Sequence, residues 1–145
     1  KHFGTLSPIP GFRDWFSYLE DGKIKNILGD VPIENISFLK SPDLKVGDPR
    51  IVSNKVSITK LAAHYLMNEK NNKQLPINDV CRFHLGNGAI IDDIIINANV
   101  SEVGLNRSFG VMVNYLYELK NIEKNHEEYI NNKTIIVSDK LKKII

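Results

Sequence analysis

The stretch from Val111 to Leu119 constrains the fold more than any other part of the chain. Val111, Val113, Tyr115, Tyr117 and Leu119 recur at every second position, with Met112, Asn114 and Leu116 between them. Period two marks a strand, because successive side chains point to opposite faces of a sheet. A strand with one apolar face needs partner strands and a layer packed over that face. Residues 90–96 supply a second candidate, short and rich in isoleucine, which suits a pleated, half-buried surface. Elsewhere the spacing is helical: Phe12, Trp15, Phe16 and Leu19 share a face over 12–19, and Leu61, Ala62, Tyr65 and Leu66 share one over 56–69. Helices mixed with strands predict an α/β class.

Local signals divide the rest. Pro8 and Pro10 hold residues 7–10 extended, since each proline bars its predecessor from the helical region. Asp21-Gly22 is expected to end the first helix, and Asn71-Asn72 the second. Asn78 is a candidate N-cap for a short helix holding Val80, Phe83 and His84, stopped by Gly86-Asn87-Gly88. One or two helical turns are expected over 101–107, and an amphipathic helix from Ser138 onward. Residues 23–48 predict only irregular structure with short helices.

Composition narrows the function classes. With 145 residues, 42% hydrophobic and 25% charged, the chain has the balance of one globular domain or a piece of one. Its net charge is +2, and Lys140, Lys142 and Lys143 form the only tight basic group, which argues against a nucleic-acid surface. Cys81 is the single cysteine, so an intramolecular disulfide is impossible and a buried structural thiol is expected. No apolar run is long enough for a membrane span, the first residues lack a signal-peptide pattern, and Lys142-Lys143-Ile144-Ile145 is not a peroxisomal address. A soluble intracellular protein is expected. Motif-dense sequence begins within the first few residues, so the chain reads as a fragment.

Periodicity alone finds no active site. There is no glycine-rich phosphate loop, no paired-histidine metal motif and no nucleophile elbow. Asp92-Asp93 and Glu127-Glu128 read as solvated carboxylates, His64 as a boundary residue and His126 as a surface one. His84 differs, lying between Phe83 and Leu85 ahead of a glycine-rich turn, where a histidine can face a cleft and do acid/base work. Taken alone, a satisfied structural histidine remains the plainer reading. Ser7, before Pro8, reads equally well as a turn or capping serine.

Three segments together point further. Thr5-Leu6-Ser7-Pro8-Ile9-Pro10-Gly11-Phe12, Cys81-Arg82-Phe83-His84-Leu85-Gly86-Asn87-Gly88-Ala89 and Ser108-Phe109-Gly110-Val111-Met112-Val113-Asn114-Tyr115-Leu116-Tyr117 resemble, in order and spacing, the serine, histidine and C-terminal motifs of malonyl-CoA decarboxylases. The resemblance implies a partial GNAT-like (acyl-CoA N-acyltransferase-like) fold, a mixed sheet flanked by helices. It identifies residues 1–145 as the C-terminal portion of the catalytic domain, with the upstream half absent. It implies conversion of malonyl-CoA to acetyl-CoA and carbon dioxide through a stabilised thioester enolate protonated by a histidine, without metal or organic cofactor. The family's catalytic serine, histidine and tyrosine fall on Ser7, His84 and Tyr117; Asn114 is inferred as a substrate-binding amide. The full-length protein is expected to be a homo-oligomer of the cytoplasm or an organellar matrix, with malonyl-CoA as substrate and neither nucleic acid nor membrane as partner. Two departures stand out: Ile95 and Asn99 occupy positions where the family commonly carries Asn and Asp. A GNAT-like acyl-loading domain and a non-catalytic interaction fragment of the same fold are the alternatives.

Overall fold

The alternating stretch builds the middle of the sheet. The computed structural model describes residues 1–145. Three strands, β1 (His2–Pro8), β2 (Ile90–Ile95) and β3 (Met112–Glu118), pair antiparallel in the order β1-β3-β2. Val113, Tyr115 and Tyr117 face the buried side of β3, while Met112, Asn114 and Leu116 face the other. The strand stops at Glu118, so Leu119 leaves the alternation and is exposed. A parallel bridge between Ile91 and Val137 covers part of the outer edge of β2. The outer edge of β1 pairs with no strand of this chain, which fits Pro8 in that strand, since proline cannot donate to a ladder.

Helices pack over the buried face. They are α1 (Phe12–Ser17), α2 (Asp21–Leu28), α3 (Pro49–Ser53), α4 (Lys55–Asn68), α5 (Asp79–Gly86), α6 (Glu102–Ser108), α7 (Ile122–Asn132) and α8 (Asp139–Lys142). The anticipated face of α4 is buried throughout: Leu61, Ala62, Tyr65 and Leu66 join Ile58 in the core. Phe12 and Phe16 of α1 meet Phe109 edge to face, with ring centroids 5.6 and 6.1 Å apart. No helix is long and apolar enough to cross a membrane.

Two local expectations change, and one element is new. Asp21-Gly22 opens α2 rather than ending α1, which already stops at Ser17, because Glu20 takes the extended N-cap conformation and Asp21 supplies the first-turn acid that a helix start favours. Residues 122–132, too polar to show a core stripe, form α7 and bury Asn125 and Tyr129. Asp92 and Asp93 are brought to one side by a bulge in β2 opposite Asn114, so strand alternation does not separate them. Lys140 stands 3.2 Å from Asp92 and 3.9 Å from Asp93.

Candidate active site

Ser7, His84 and Tyr117 converge from three separate elements. Ser7 Oγ lies 3.0 Å from His84 Nε2, and Tyr117 Oη lies 2.6 Å from His84 Nδ1. The register explains the convergence. Ser7 pairs with Val113 and Phe3 with Tyr117, so Ser7 and Tyr117 stand on the same face of adjacent strands, and α5 lays His84 between them. The three are 7%, 9% and 8% exposed, which puts the trio just beneath the surface rather than at the core. The Phe3 ring stacks on Tyr117 at 4.9 Å with an interplanar angle of 10° and aims its hydroxyl at the imidazole. Phe83 and Phe3 are exposed beside the trio.

One amide joins the segment after Ser7 to the helix carrying His84. Asn78 Oδ1 accepts from Cys81 N at 2.9 Å and caps α5, while its Nδ2 donates to Pro10 O at 2.9 Å. Tyr65 Oη donates to the same carbonyl at 3.4 Å. Gly11 must be glycine here: its φ is +88°, and a Cβ would lie 2.8 Å from Tyr65 Oη. The other end of α5 is held by α7, whose Asn125 donates to Gly88 O at 3.2 Å and whose His126 Nδ1 donates to Gly86 O at 2.6 Å. His126 is therefore a surface residue with a definite partner, the Gly86 carbonyl at the C-terminal end of α5.

Burial sets the protonation of the trio. It holds His84 below the ordinary histidine value and pushes Tyr117 above the ordinary tyrosine value, so both are neutral at neutral pH. A neutral imidazole has one N–H donor and one acceptor nitrogen. Since each nitrogen meets a hydroxyl, the three groups form one directional chain of hydrogen bonds. The Cys81 thiol, buried on the same helix, is pushed up to about 11, so it stays protonated and unreactive. No group of three or more metal-donating side chains converges in the chain.

Asn114 does not join the trio. It projects from the opposite face of β3, where its Nδ2 donates to Asp92 Oδ2 at 3.1 Å and its amide lies against Gly4. Its neighbour in the alternation, Tyr115, does reach the site: its ring stacks on the His84 imidazole at 4.3 Å and 21°. Period two was the available signal, because it puts Tyr115 on the face of Tyr117. The double role of Asn78 carried no signal beyond the cap. Of the departures, Asn99 accepts from Ser101 N at 3.1 Å and Ser101 Oγ at 2.6 Å and packs against Gly104 and Gly110, a turn network ahead of α6. Ile95 ends β2 partly exposed.

Known proteins resemble this chain along its whole length. The profile of the malonyl-CoA decarboxylase C-terminal domain matches residues 1–145. The mitochondrial malonyl-CoA decarboxylases of Rattus norvegicus and Mus musculus are each 30% identical over 161 residues, spanning 99% of this chain and 32% of their own length. The crystal structure of malonyl-CoA decarboxylase from Rhodopseudomonas palustris superposes with a TM-score of 0.80 at 31% identity, covering 99% of this chain and 33% of that one. The enzyme from Cupriavidus metallidurans gives 0.80 at 30%, covering 100% and 39%. The chain thus spans about a third of the length of the curated relatives it matches.

Proposed function

This chain belongs to the malonyl-CoA decarboxylase family, and from that premise we propose that it carries the proton-transfer groups for decarboxylation of malonyl-CoA to acetyl-CoA. The observation that carries the reading is the unbroken chain of hydrogen bonds from Ser7 through His84 to Tyr117. Breaking the bond between the malonyl carboxylate and the α-carbon releases carbon dioxide and leaves its electron pair on the thioester as an enolate. The α-carbon then needs one proton. Tyr117 donates to Nδ1, so the imidazole hydrogen resides on Nε2 and points at Ser7 Oγ. That leaves the Ser7 hydrogen free to face the substrate.

In this scheme the Ser7 hydroxyl hydrogen goes to carbon as His84 Nε2–H refills Oγ and the Tyr117 hydrogen passes to Nδ1, so the negative charge of the enolate ends on the Tyr117 oxygen until solvent returns a proton there. Solvent restores the network after acetyl-CoA leaves.

The chain is also proposed to be the C-terminal portion of a larger catalytic domain. Two facts support this: its relatives are about three times as long, and the outer edge of β1 has no strand partner. An unpaired edge of this kind is a natural place for further strands.

The test is acetyl-CoA release from malonyl-CoA by a protein of the relatives' full length that contains this chain. Ser7→Ala and His84→Ala should each lower kcat by about 100- to 10,000-fold. Turnover near the unmutated level in a folded His84→Ala protein would overturn the proton relay through His84.

A further inference from the structure

The two hydrogen bonds to His84 leave one motion unrestrained. A ring tethered at both nitrogens can still rock about the line joining them, and rocking swings neither nitrogen out of reach while spoiling the alignment of both bonds. Phe83 meets the imidazole edge-on, at 5.2 Å and 74°, and Tyr117 at 5.9 Å and 67°; neither opposes that motion as a parallel surface would. Tyr115 does, with its ring 4.3 Å away and 21° from parallel.

Tyr115 is itself immobile. It is fully buried in the middle strand, paired on one side with Thr5 and on the other with Ile91. Its hydroxyl lies beside the Cys81 thiol and makes no hydrogen bond of normal geometry. The useful part of this side chain is therefore the ring face.

We propose that Tyr115 is a positioning residue for the decarboxylation, its ring forming the floor on which the His84 imidazole lies while it faces Ser7 and Tyr117 at once. The proposal rests on the decarboxylase reading for its effect on turnover but not for its effect on the histidine. A π face also attracts a cation above it, so the floor favours the imidazolium whenever the ring gains a proton.

The surroundings of His84 leave this contribution visible. β1 presents Ser7, and β3 presents Tyr115 and Tyr117. Its own helix carries Asp79, Cys81 and Arg82, and α7, packed on that helix, brings His126 and Tyr129. Burial holds Cys81, Tyr115, Tyr117 and Tyr129 protonated and neutral, and burial alone accounts for the lowered His84 value.

The experiment follows the NMR titration of the His84 ring protons, assigned by their loss in His84→Gln, in Tyr115→Phe and Tyr115→Leu without substrate. Turnover of malonyl-CoA by the full-length forms is the second readout. Tyr115→Phe keeps the floor, so the His84 midpoint should stay put and kcat/KM should hold within about twofold. Tyr115→Leu removes it, so the midpoint should move to lower pH, with kcat down about 3- to 10-fold and KM little changed.

A purely structural role would lower the urea midpoint and leave the histidine titration where it was. That result in a folded Tyr115→Leu protein overturns the proposal. If the Leu variant does not fold, Tyr115→Met, which also lacks a ring face, takes its place: a midpoint moved to lower pH supports the proposal, and an unmoved one overturns it. Because the titration needs no substrate, an enzymatically silent full-length protein would sink the decarboxylase reading and leave the floor intact.

Discussion

Gly86 and Gly88, two residues apart in one motif, should respond oppositely to the same substitution. Gly88 has φ +89°, and a Cβ there would sit on the carbonyl oxygen of Ile122, closer than real Cβ contacts come, with Ile122 Cγ2 at 3.0 Å. An L side chain in the left-handed region costs about 1 kcal/mol. The obstacle is backbone at the start of α7, so it cannot rotate away. Moving α7 strains the bonds from Asn125 to Gly88 O and from His126 to Gly86 O, each contributing about 1 kcal/mol.

The sum for Gly88→Ala is a loss of about 3 kcal/mol. Gly86 ends α5, and the nearest atom to its Cβ would be Tyr129 Cε2 at 3.9 Å, an ordinary contact. Gly86→Ala should therefore be neutral or stabilising by up to about 1 kcal/mol, through the smaller entropy of the unfolded chain. Urea denaturation followed by circular dichroism, with equal m-values in both variants, measures the difference. Equal midpoints for the two variants would refute the reasoning, since they would mean that α7 does not seat on Gly88 as described.

Asn78→Asp should keep the cap on α5 but lose the donor to Pro10 O, so stability should fall by about 1 kcal/mol while kcat falls more than the stability loss explains; full-length turnover beside urea melts would show whether both bonds matter. Tyr117→Phe preserves the stack on Phe3 and removes the partner of Nδ1, for an expected drop of about 5- to 100-fold in kcat/KM; unchanged steady-state kinetics would remove Tyr117 from the proton path. Burial lowers His84 and His64 in the folded chain, whereas unfolding returns them to about 6.5. The unfolded state thus binds more protons as pH falls through about 6.5, and stability should decline there and level off once each folded value is passed. Urea midpoints at pH 7.5 and 5.5 test the sign, and His84→Gln should remove part of the slope.

The sheet was legible where physics is local. Alternation over 111–119 located β3 and its faces, and the isoleucine-rich run located β2, because a half-buried strand imposes period two directly. Asn78 was legible as a cap because a capping side chain acts within its own turn. By contrast, α7 buries only a narrow face, and Ile122, Asn125 and Tyr129 among many polar residues leave no stripe to count. The site was legible only through motif resemblance: Ser7 and Tyr117 are joined to His84 by strand register and helix docking, neither of which spacing encodes. Asn114 shares a motif with Tyr117 yet lies on the opposite face of β3, as alternation along that strand already implied. The bulge at Asp92 shows the limit of alternation, for one extra residue in β2 turns two adjacent carboxylates toward a single lysine.

The pairing of β1 with β3 has a kinetic consequence. Pro8 lies opposite Met112 and His2 opposite Glu118, so this ladder closes a loop that contains most of the chain. Loop-closure entropy must be met before such contacts return anything, and ladders of high contact order are slow to form. His84 and Tyr117 are only 33 positions apart, while Ser7 is 77 from His84. The histidine and tyrosine are therefore expected to meet early, and the serine to arrive with the last strand. A nascent or partly opened molecule would then hold two members of the trio without the third, so the hydrogen-bonded chain would be complete only at the final closure and would itself report the fully folded molecules.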